Sequence, residues 1–171
     1  MFLLAWTFAW ISYCSGFVCL IFGIYFKNYT ILLLTAAEML AMINCYMLLY
    51  GAHVYYKIKF KLLWPVFFIL ICSWILIQSA GTDPIIKNLP PAVFFFTAYS
   101  YTGFLFISAK QPPRLERTIA GVLLLLWGCE RIYIAFNLEN GSEAVYGIII
   151  GATLNIMISL FIIITYLQDT R

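Results

Sequence analysis

Charged residues are scarce in this chain. They make up 10% of its 171 residues, whereas 64% of the residues are apolar and the mean hydropathy is +0.97. Because soluble domains contain about 25% charged residues, this composition excludes an ordinary soluble domain and predicts an integral protein of the lipid bilayer. The net charge of +3 is small and no basic run with interleaved aromatic residues forms a groove-like patch, so we expect no nucleic-acid partner.

Residues that perform catalysis or bind metals are also few. His53 is the only histidine, which excludes a two-histidine haem site, and no Ser/His/Asp arrangement or phosphate-binding glycine loop is present. The five cysteines lie in apolar stretches and form no C-x-x-C pair, which is typical of packing residues rather than of disulfides or a zinc site. We therefore predict no cofactor, no metal site and no catalytic activity in this chain.

Apolar segments long enough to cross a membrane occur six times, since a helix needs about 20 apolar residues to span the hydrocarbon core. The connections between them are short, which predicts antiparallel neighbouring helices and leaves no room for a soluble domain. We predict an all-α fold, a polytopic membrane bundle of six transmembrane helices that forms one domain over residues 1–171. The predicted helices are Phe2–Phe26, Thr30–Ala52, Leu62–Ala80, Pro91–Ala109, Thr118–Asn137 and Ala144–Leu167.

Lysine and arginine are unevenly distributed over the predicted connections. With six helices, the loops after the second and fourth helices lie on the same side as both termini, and this side carries seven of the ten basic residues. Because cytoplasmic loops are enriched in Lys and Arg, we predict that both termini are cytoplasmic. The seven residues are Lys57, Lys59, Lys61, Lys110, Arg114, Arg117 and Arg171.

A leucine run in the fifth predicted helix ends in two charged residues, Glu130 and Arg131. A charge in hydrocarbon costs about 2.5 kcal/mol or more, so these residues must pair, face a cavity or serve a function. At about 1.5 Å per residue, Arg131 and Glu38 of the second helix lie at matching depths, and we predict an ion pair between them. Because adjacent helical residues point about 100° apart, we do not expect Glu130 and Arg131 to aim at one partner face. A pair that only fixes helix register remains the alternative to a site for a ligand or signal.

Small and polar residues recur at every fourth position of the sixth predicted helix. They are Gly147, Gly151, Asn155 and Ser159, so all four lie on one stripe of the helix. Small residues let two helices approach closely, and Asn and Ser form hydrogen bonds between helices. Two interpretations remain open: the stripe packs within the bundle, or it forms the interface of a homodimer.

The last third of the chain resembles a known kind of membrane region. Residues 120–131 read Ala-Gly-Val-Leu-Leu-Leu-Leu-Trp-Gly-Cys-Glu-Arg, residues 146–148 read Tyr-Gly-Ile, and the chain closes with Asp-Thr-Arg. These features resemble the N-terminal multi-pass sensor regions of bacterial diguanylate cyclases and histidine kinases, and the match covers mainly residues 118–171. In those proteins a leucine run often ends in Trp-Gly, an apolar residue, His, and then Lys or Arg. Here Trp127, Gly128 and Arg131 match this pattern, whereas Glu130 occupies the histidine position.

The resemblance implies a sensory module in the bacterial inner membrane. Of the site residues, the resemblance carries over only Trp127, Gly128 and Arg131. Combined with the depths of the charged residues, it predicts that a small hydrophobic or amphiphilic signal binds at a site formed by Glu38, Trp127, Glu130 and Arg131. Such a module would form a homodimer and pass a movement of the sixth helix to a cytoplasmic output domain beyond Arg171.

Two other functions remain as alternatives. In a small transporter or channel, Glu38, Glu130 and Arg131 would line the path, and broken helices in inverted halves would be expected. Glycine and proline fall mainly at the predicted helix ends, which argues against this alternative. A membrane-embedded enzyme acting on lipid would need an acid, a base and a nucleophile at one depth, and the sequence supplies only carboxylates and an arginine.

Overall fold

The computed structural model describes residues 1–77, 84–108, 115–137 and 141–169. Over these residues the chain is helical without any strand, which confirms the predicted all-α fold. A short 3-10 turn, Lys27–Tyr29, separates the first two helices. The helices are α1 (Phe2–Tyr25), α2 (Thr30–Tyr55), α3 (Leu63–Ile77), α4 (Pro84–Ser108), α5 (Leu115–Asn137) and α6 (Gly141–Asp169).

The helices have the length and composition of membrane spans. Five of those described are long and apolar enough to cross a bilayer, and α3 is shorter, with 15 described residues. Many large apolar side chains on them are exposed, such as Leu32 (69%) and Ile69 (60%), as expected where a helix contacts lipid. These features fit a multi-pass membrane protein. The cytoplasmic location of both termini stays a prediction, and Lys110, Arg114 and Arg171 lie outside the described residues.

The start of α4 differs from the predicted one. The helix begins at Pro84 instead of Pro91, and it contains Pro90 and Pro91 in its interior. A proline at the first helical position is favourable, but Pro91 has no N–H and leaves the carbonyl of Lys87 without its helical donor. The indole N–H of Trp74 in α3 donates to this carbonyl at 3.3 Å. The predicted start of this helix at Pro91 was therefore wrong, because the helix continues through both prolines and a neighbouring helix satisfies the freed carbonyl.

The helices group into two compact units, Met1–Phe94 and Phe95–Arg171. In the first unit α1 packs closely along α2. A Cβ added at Gly16 would lie 3.3 Å from the backbone oxygen of Ala37, and buried Asn44 donates a hydrogen bond to the backbone oxygen of Ala9 at 2.8 Å. Contacts that run in opposite order along the two helices show that they are antiparallel, as predicted.

In the second unit the final part of α4 packs on α5 through glycines. A Cβ added at Gly103 would lie 2.6 Å from the backbone oxygen of Gly121, and a Cβ at Gly121 would lie 2.7 Å from that of Gly103. The two backbones therefore touch at this point, which only residues without a side chain allow. Helix α6 lies antiparallel to α5 on another face, and this seam holds the charged residues. The predicted organisation as one domain stays a prediction.

Candidate functional site

Glu130 and Arg131 form an ion pair within α5. The Nε atom of Arg131 lies 3.4 Å from Oε2 of Glu130, and the exposed fraction of the side chain is 8% for Glu130 and 23% for Arg131. Within the described part of the chain, the two carboxylate oxygens of Glu130 and the Nε atom of Arg131 make no hydrogen bond. Buried polar groups almost always have such partners, so the pair is electrostatically balanced but incompletely satisfied.

Both charged side chains end at one glycine of α6. A Cβ added at Gly151 would lie 3.2 Å from Nη2 of Arg131 and 3.3 Å from Oε1 of Glu130, and it would lie 3.5 Å from Nε1 of Trp127. The prediction that these two neighbours would not aim at one partner face was therefore wrong. An angle of about 100° separates the Cβ directions of adjacent residues, but the long side chains curve back toward the same point.

Aromatic rings surround the guanidinium of Arg131. Its Cζ atom lies 5.6 Å from the ring centroid of Phe95 and 5.7 Å from that of Trp127. Trp127 is fully buried and stacks on Tyr99, with centroids 4.4 Å apart and ring planes inclined by 13°. Cations at such distances from aromatic faces are attracted by the ring quadrupole. Phe95 and Trp127 therefore lie beside the guanidinium of the charged pair, and Tyr99 packs against Trp127.

Sequence reasoning placed Trp127, Glu130 and Arg131 in this site but missed two of its members. Phe95 and Tyr99 lie four residues apart in α4, so they share one face of that helix. That spacing was the available signal. It does not reveal which of the many aromatic residues meet α5, because this depends on where Gly103 and Gly121 bring the two helices together.

The stripe of α6 continues the seam away from the charged pair. Gly147 also contacts α5, since a Cβ there would lie 2.7 Å from Cδ1 of Ile134. Asn155 and Ser159 are 2% and 3% exposed, and the Ser159 hydroxyl donates to the backbone oxygen of Asn155 at 2.7 Å. The stripe is therefore buried at all four positions, and its two glycines touch α5. Its use as a dimer interface stays a prediction.

Glu38 belongs to the first unit, whereas the α5–α6 seam belongs to the second. Lys87 of α4 acts on it electrostatically. Sequence reasoning missed this neighbour because it assigned Lys87 to a loop, whereas the early start of α4 places it in the helix. The predicted pair of Glu38 with Arg131 would join the two units and stays a prediction.

Among residues 1–77, 84–108, 115–137 and 141–169, no group of three or more His, Cys, Asp or Glu side chains is arranged to hold a metal ion. The site brings together one carboxylate, one guanidinium and two aromatic rings that lie beside the guanidinium. Comparisons with protein families, with curated proteins and with solved structures found no match. The resemblance to sensor regions therefore stays a prediction.

Proposed function

We propose that this chain is a membrane-embedded sensory module that binds a small hydrophobic or amphiphilic signal beside Glu130 and Arg131. Binding moves α6, and α6 passes the movement to a cytoplasmic output domain. The observation that carries this proposal is the close approach at Gly151, where the ends of Glu130 and Arg131 lie 3.3 and 3.2 Å from the position of an added Cβ. A rearrangement of the pair therefore acts directly on the backbone of α6.

A ligand shifts a protein between two arrangements only if it binds one of them better. In the present arrangement both Glu130 oxygens lie buried without a hydrogen-bond donor from the described residues, which costs about 1–3 kcal/mol or more for a buried group. A signal that supplies a donor favours an arrangement in which Glu130 leaves Arg131. Binding thus selects a new position of the side chains that rest on α6.

The far end of α6 is also attached to α5. The side-chain amide of Gln168 donates to Oε1 of Glu116 at 3.2 Å. This contact lies in the last turn of α6, far along the helix from the Gly151 contact. A shift or rotation of α6 that starts at Gly151 must strain the Gln168–Glu116 contact, so a movement caused by the signal reaches the end of the helix.

The proposed membrane and the orientation of the chain in it are supported by the charge distribution and by the resemblance to bacterial sensors. Seven of the ten basic residues lie on the side of both termini in a six-helix topology, which supports cytoplasmic termini in a bacterial inner membrane. The residues beside the stripe of α6 support a homodimer, since Ile150 and Ile156 are 50% and 53% exposed.

Spin-label distances across the α5–α6 seam test this proposal. The five native cysteines, all free thiols, are replaced by alanine, and labels are attached at Leu126→Cys and Ile156→Cys, which are 52% and 53% exposed. The full chain in lipid nanodiscs is exposed to dodecanoic acid, dodecanol or dodecylamine. At least one probe is expected to change the α5–α6 distance. A matched pair at Phe104→Cys and Val122→Cys, which reports the glycine contact of α4 with α5, is expected to stay constant.

An unchanged α5–α6 distance with all three probes contradicts the sensory proposal. An equal change in the α4–α5 control pair also contradicts it, because the probe would then perturb the whole unit. The comparison of the two label pairs separates a specific movement of α6 from a general effect of amphiphiles on the bilayer.

A transporter or channel is the second candidate, and the prolines inside α4 favour it. Pro90 and Pro91 lie inside the continuous helix that carries Lys87, the electrostatic partner of Glu38, and each removes a backbone N–H donor. Helices weakened or broken by proline or glycine are typical of transport sites. Proton flux into liposomes that contain a pH-sensitive dye distinguishes the two functions. The sensory proposal expects the rate found in protein-free liposomes, whereas a flux abolished by Glu38→Gln would establish transport.

A further inference from the structure

The polar atoms of the Glu130–Arg131 pair define what a ligand must offer. Both carboxylate oxygens of Glu130 lack a hydrogen-bond donor, and Nε of Arg131 lacks an acceptor, among the described residues. The Glu130 side chain is more than nine-tenths buried, with 8% exposed, whereas 23% of the Arg131 side chain is exposed. An incoming group therefore reaches Arg131 first and must bring both an acceptor and a donor.

Charge balance restricts the ligand further. A bound cation would lie beside the Arg131 guanidinium, and a bound anion without a proton would lie beside the Glu130 carboxylate. Either ion would leave an excess charge in a membrane span, which is costly. The rings of Phe95 and Trp127 lie near the guanidinium, and the planar fork of donors on an arginine matches a carboxylate bidentately. A neutral acid satisfies all these conditions.

We infer that the signal bound at this site is a membrane-soluble carboxylic acid with an apolar chain, which exchanges its proton with Glu130. This inference rests on the proposed sensory function. The acid enters in its neutral form, its O–H bond breaks, and a new O–H bond forms on the Glu130 carboxylate. The ligand, now a carboxylate, pairs with Arg131. One anion and one cation are present before and after, so the exchange adds no net charge.

The exchange explains how occupancy reaches α6. Protonated Glu130 no longer attracts Arg131, and its carboxyl group gains a donor that it can direct to the ligand. The Glu130 oxygen and the Arg131 Nη2 atom that border Gly151 at 3.3 and 3.2 Å from a Cβ position then separate. The backbone of α6 at Gly151 then moves into the changed space beside these two side chains.

Carbon-13 NMR of dodecanoic acid labelled at its carboxyl carbon tests the inference with the full chain in nanodiscs. A bound signal at the chemical shift of a carboxylate is expected for the native chain. Glu130→Gln removes the competing anion, so at least tenfold tighter binding of the acid is expected. Arg131→Gln is expected to weaken binding at least tenfold, whereas Lys59→Gln, which removes an exposed cation elsewhere, is expected to leave it unchanged.

The outcomes separate the ligand class from the sensory function. Bound acid that stays protonated, or a Glu130→Gln variant that binds the acid no more tightly, overturns the inference even if Arg131→Gln fails to fold. If dodecanol or dodecylamine moves α6 while the acid does not, the inference also fails and the sensory proposal stands. If no probe moves α6, both fail. Binding of the methyl ester as tightly as the acid overturns the inference as well.

Discussion

Arg131 connects the groups that form the site. Its guanidinium contacts Glu130 of the same helix, lies near the rings of Phe95 and Trp127 and borders Gly151 of α6. Each cation–π contact contributes about 0.5–2 kcal/mol, and the ion pair offsets part of the cost of burying both charges. Neither kind of contact supplies the missing hydrogen bonds, so the arginine is held in place while still able to bind a further group.

Sequence reasoning identifies the charged residues of the site but not their orientation. An acidic and a basic residue in a leucine run are conspicuous because of their cost in hydrocarbon. Which way Glu130 and Arg131 turn is decided by side-chain torsions and by the opening that Gly151 provides. The electrostatic neighbour of Glu38 within its unit, Lys87, was missed for a different reason, since it lies in α4 and not in the predicted loop.

A lysine at the end of α2 occupies a conformation that favours glycine. Lys57 has a φ angle of 54°, its N–H donates to the backbone oxygen of Val54, and the N–H of Ile58 donates to that of His53. This is the Schellman arrangement that ends many helices.

Replacing Lys57 with glycine removes the clash of its Cβ in this conformation, which costs about 1–2 kcal/mol. Lys59→Gly serves as the control, since it adds the same flexibility to the unfolded chain without such relief. We expect the free energy of unfolding in bicelles to be about 1 kcal/mol higher for Lys57→Gly than for Lys59→Gly. Equal values for the two variants would refute the account of this helix end.

At the scale of the elements, apolar segments predict the helices well because only a helix satisfies its own backbone groups in lipid. The predicted and observed ends of α1 and α2 differ little. The start of α4 was not predictable from local rules, since Pro91 breaks a hydrogen bond that Trp74, from another helix, replaces. A tertiary contact of this kind leaves no trace in the sequence around the proline.

The Trp74 contact can be measured with a double-mutant cycle. Trp74→Phe keeps an aromatic ring but removes the donor to the Lys87 carbonyl, and we expect a loss of about 1–3 kcal/mol in the free energy of unfolding. With Pro91→Ala the helix regains its own N–H at this position, so the same change should cost about 1 kcal/mol less. A loss of equal size in both backgrounds would show that the indole N–H does not compensate for the proline.

The glycine contact between α4 and α5 gives a second prediction for an element. In Gly103→Ala the new Cβ would lie 2.6 Å from a backbone oxygen of α5, so the helices must separate, at a cost of about 1–3 kcal/mol. In Gly51→Ala the nearest atom would lie at 3.7 Å, an ordinary contact, and we expect a gain of about 0.5–1 kcal/mol from the lower flexibility of the unfolded chain. Thermal unfolding in detergent compares them, and a Gly103→Ala variant as stable as the native chain would contradict this packing.

At the scale of the whole molecule, composition predicts a multi-pass membrane protein, and the lengths of the helices support it. Composition does not predict how polar groups are shared between the units Met1–Phe94 and Phe95–Arg171. The Glu130–Arg131 site lies entirely in the second unit, where both Gly151 and Gln168 of α6 contact α5. This arrangement suits a module in which one helix moves relative to its neighbour.

The central claim is that binding beside Gly151 of α6 is transmitted to the C-terminal end of this helix, where Gln168 contacts Glu116. Spin labels at Leu115→Cys and Leu167→Cys, which are 73% and 54% exposed, report the α5–α6 distance at that far end in the cysteine-free chain. On saturation with a probe that binds the native site, we predict a changed distance that disappears in Arg131→Gln. An unchanged far-end distance while the probe is bound would contradict the account.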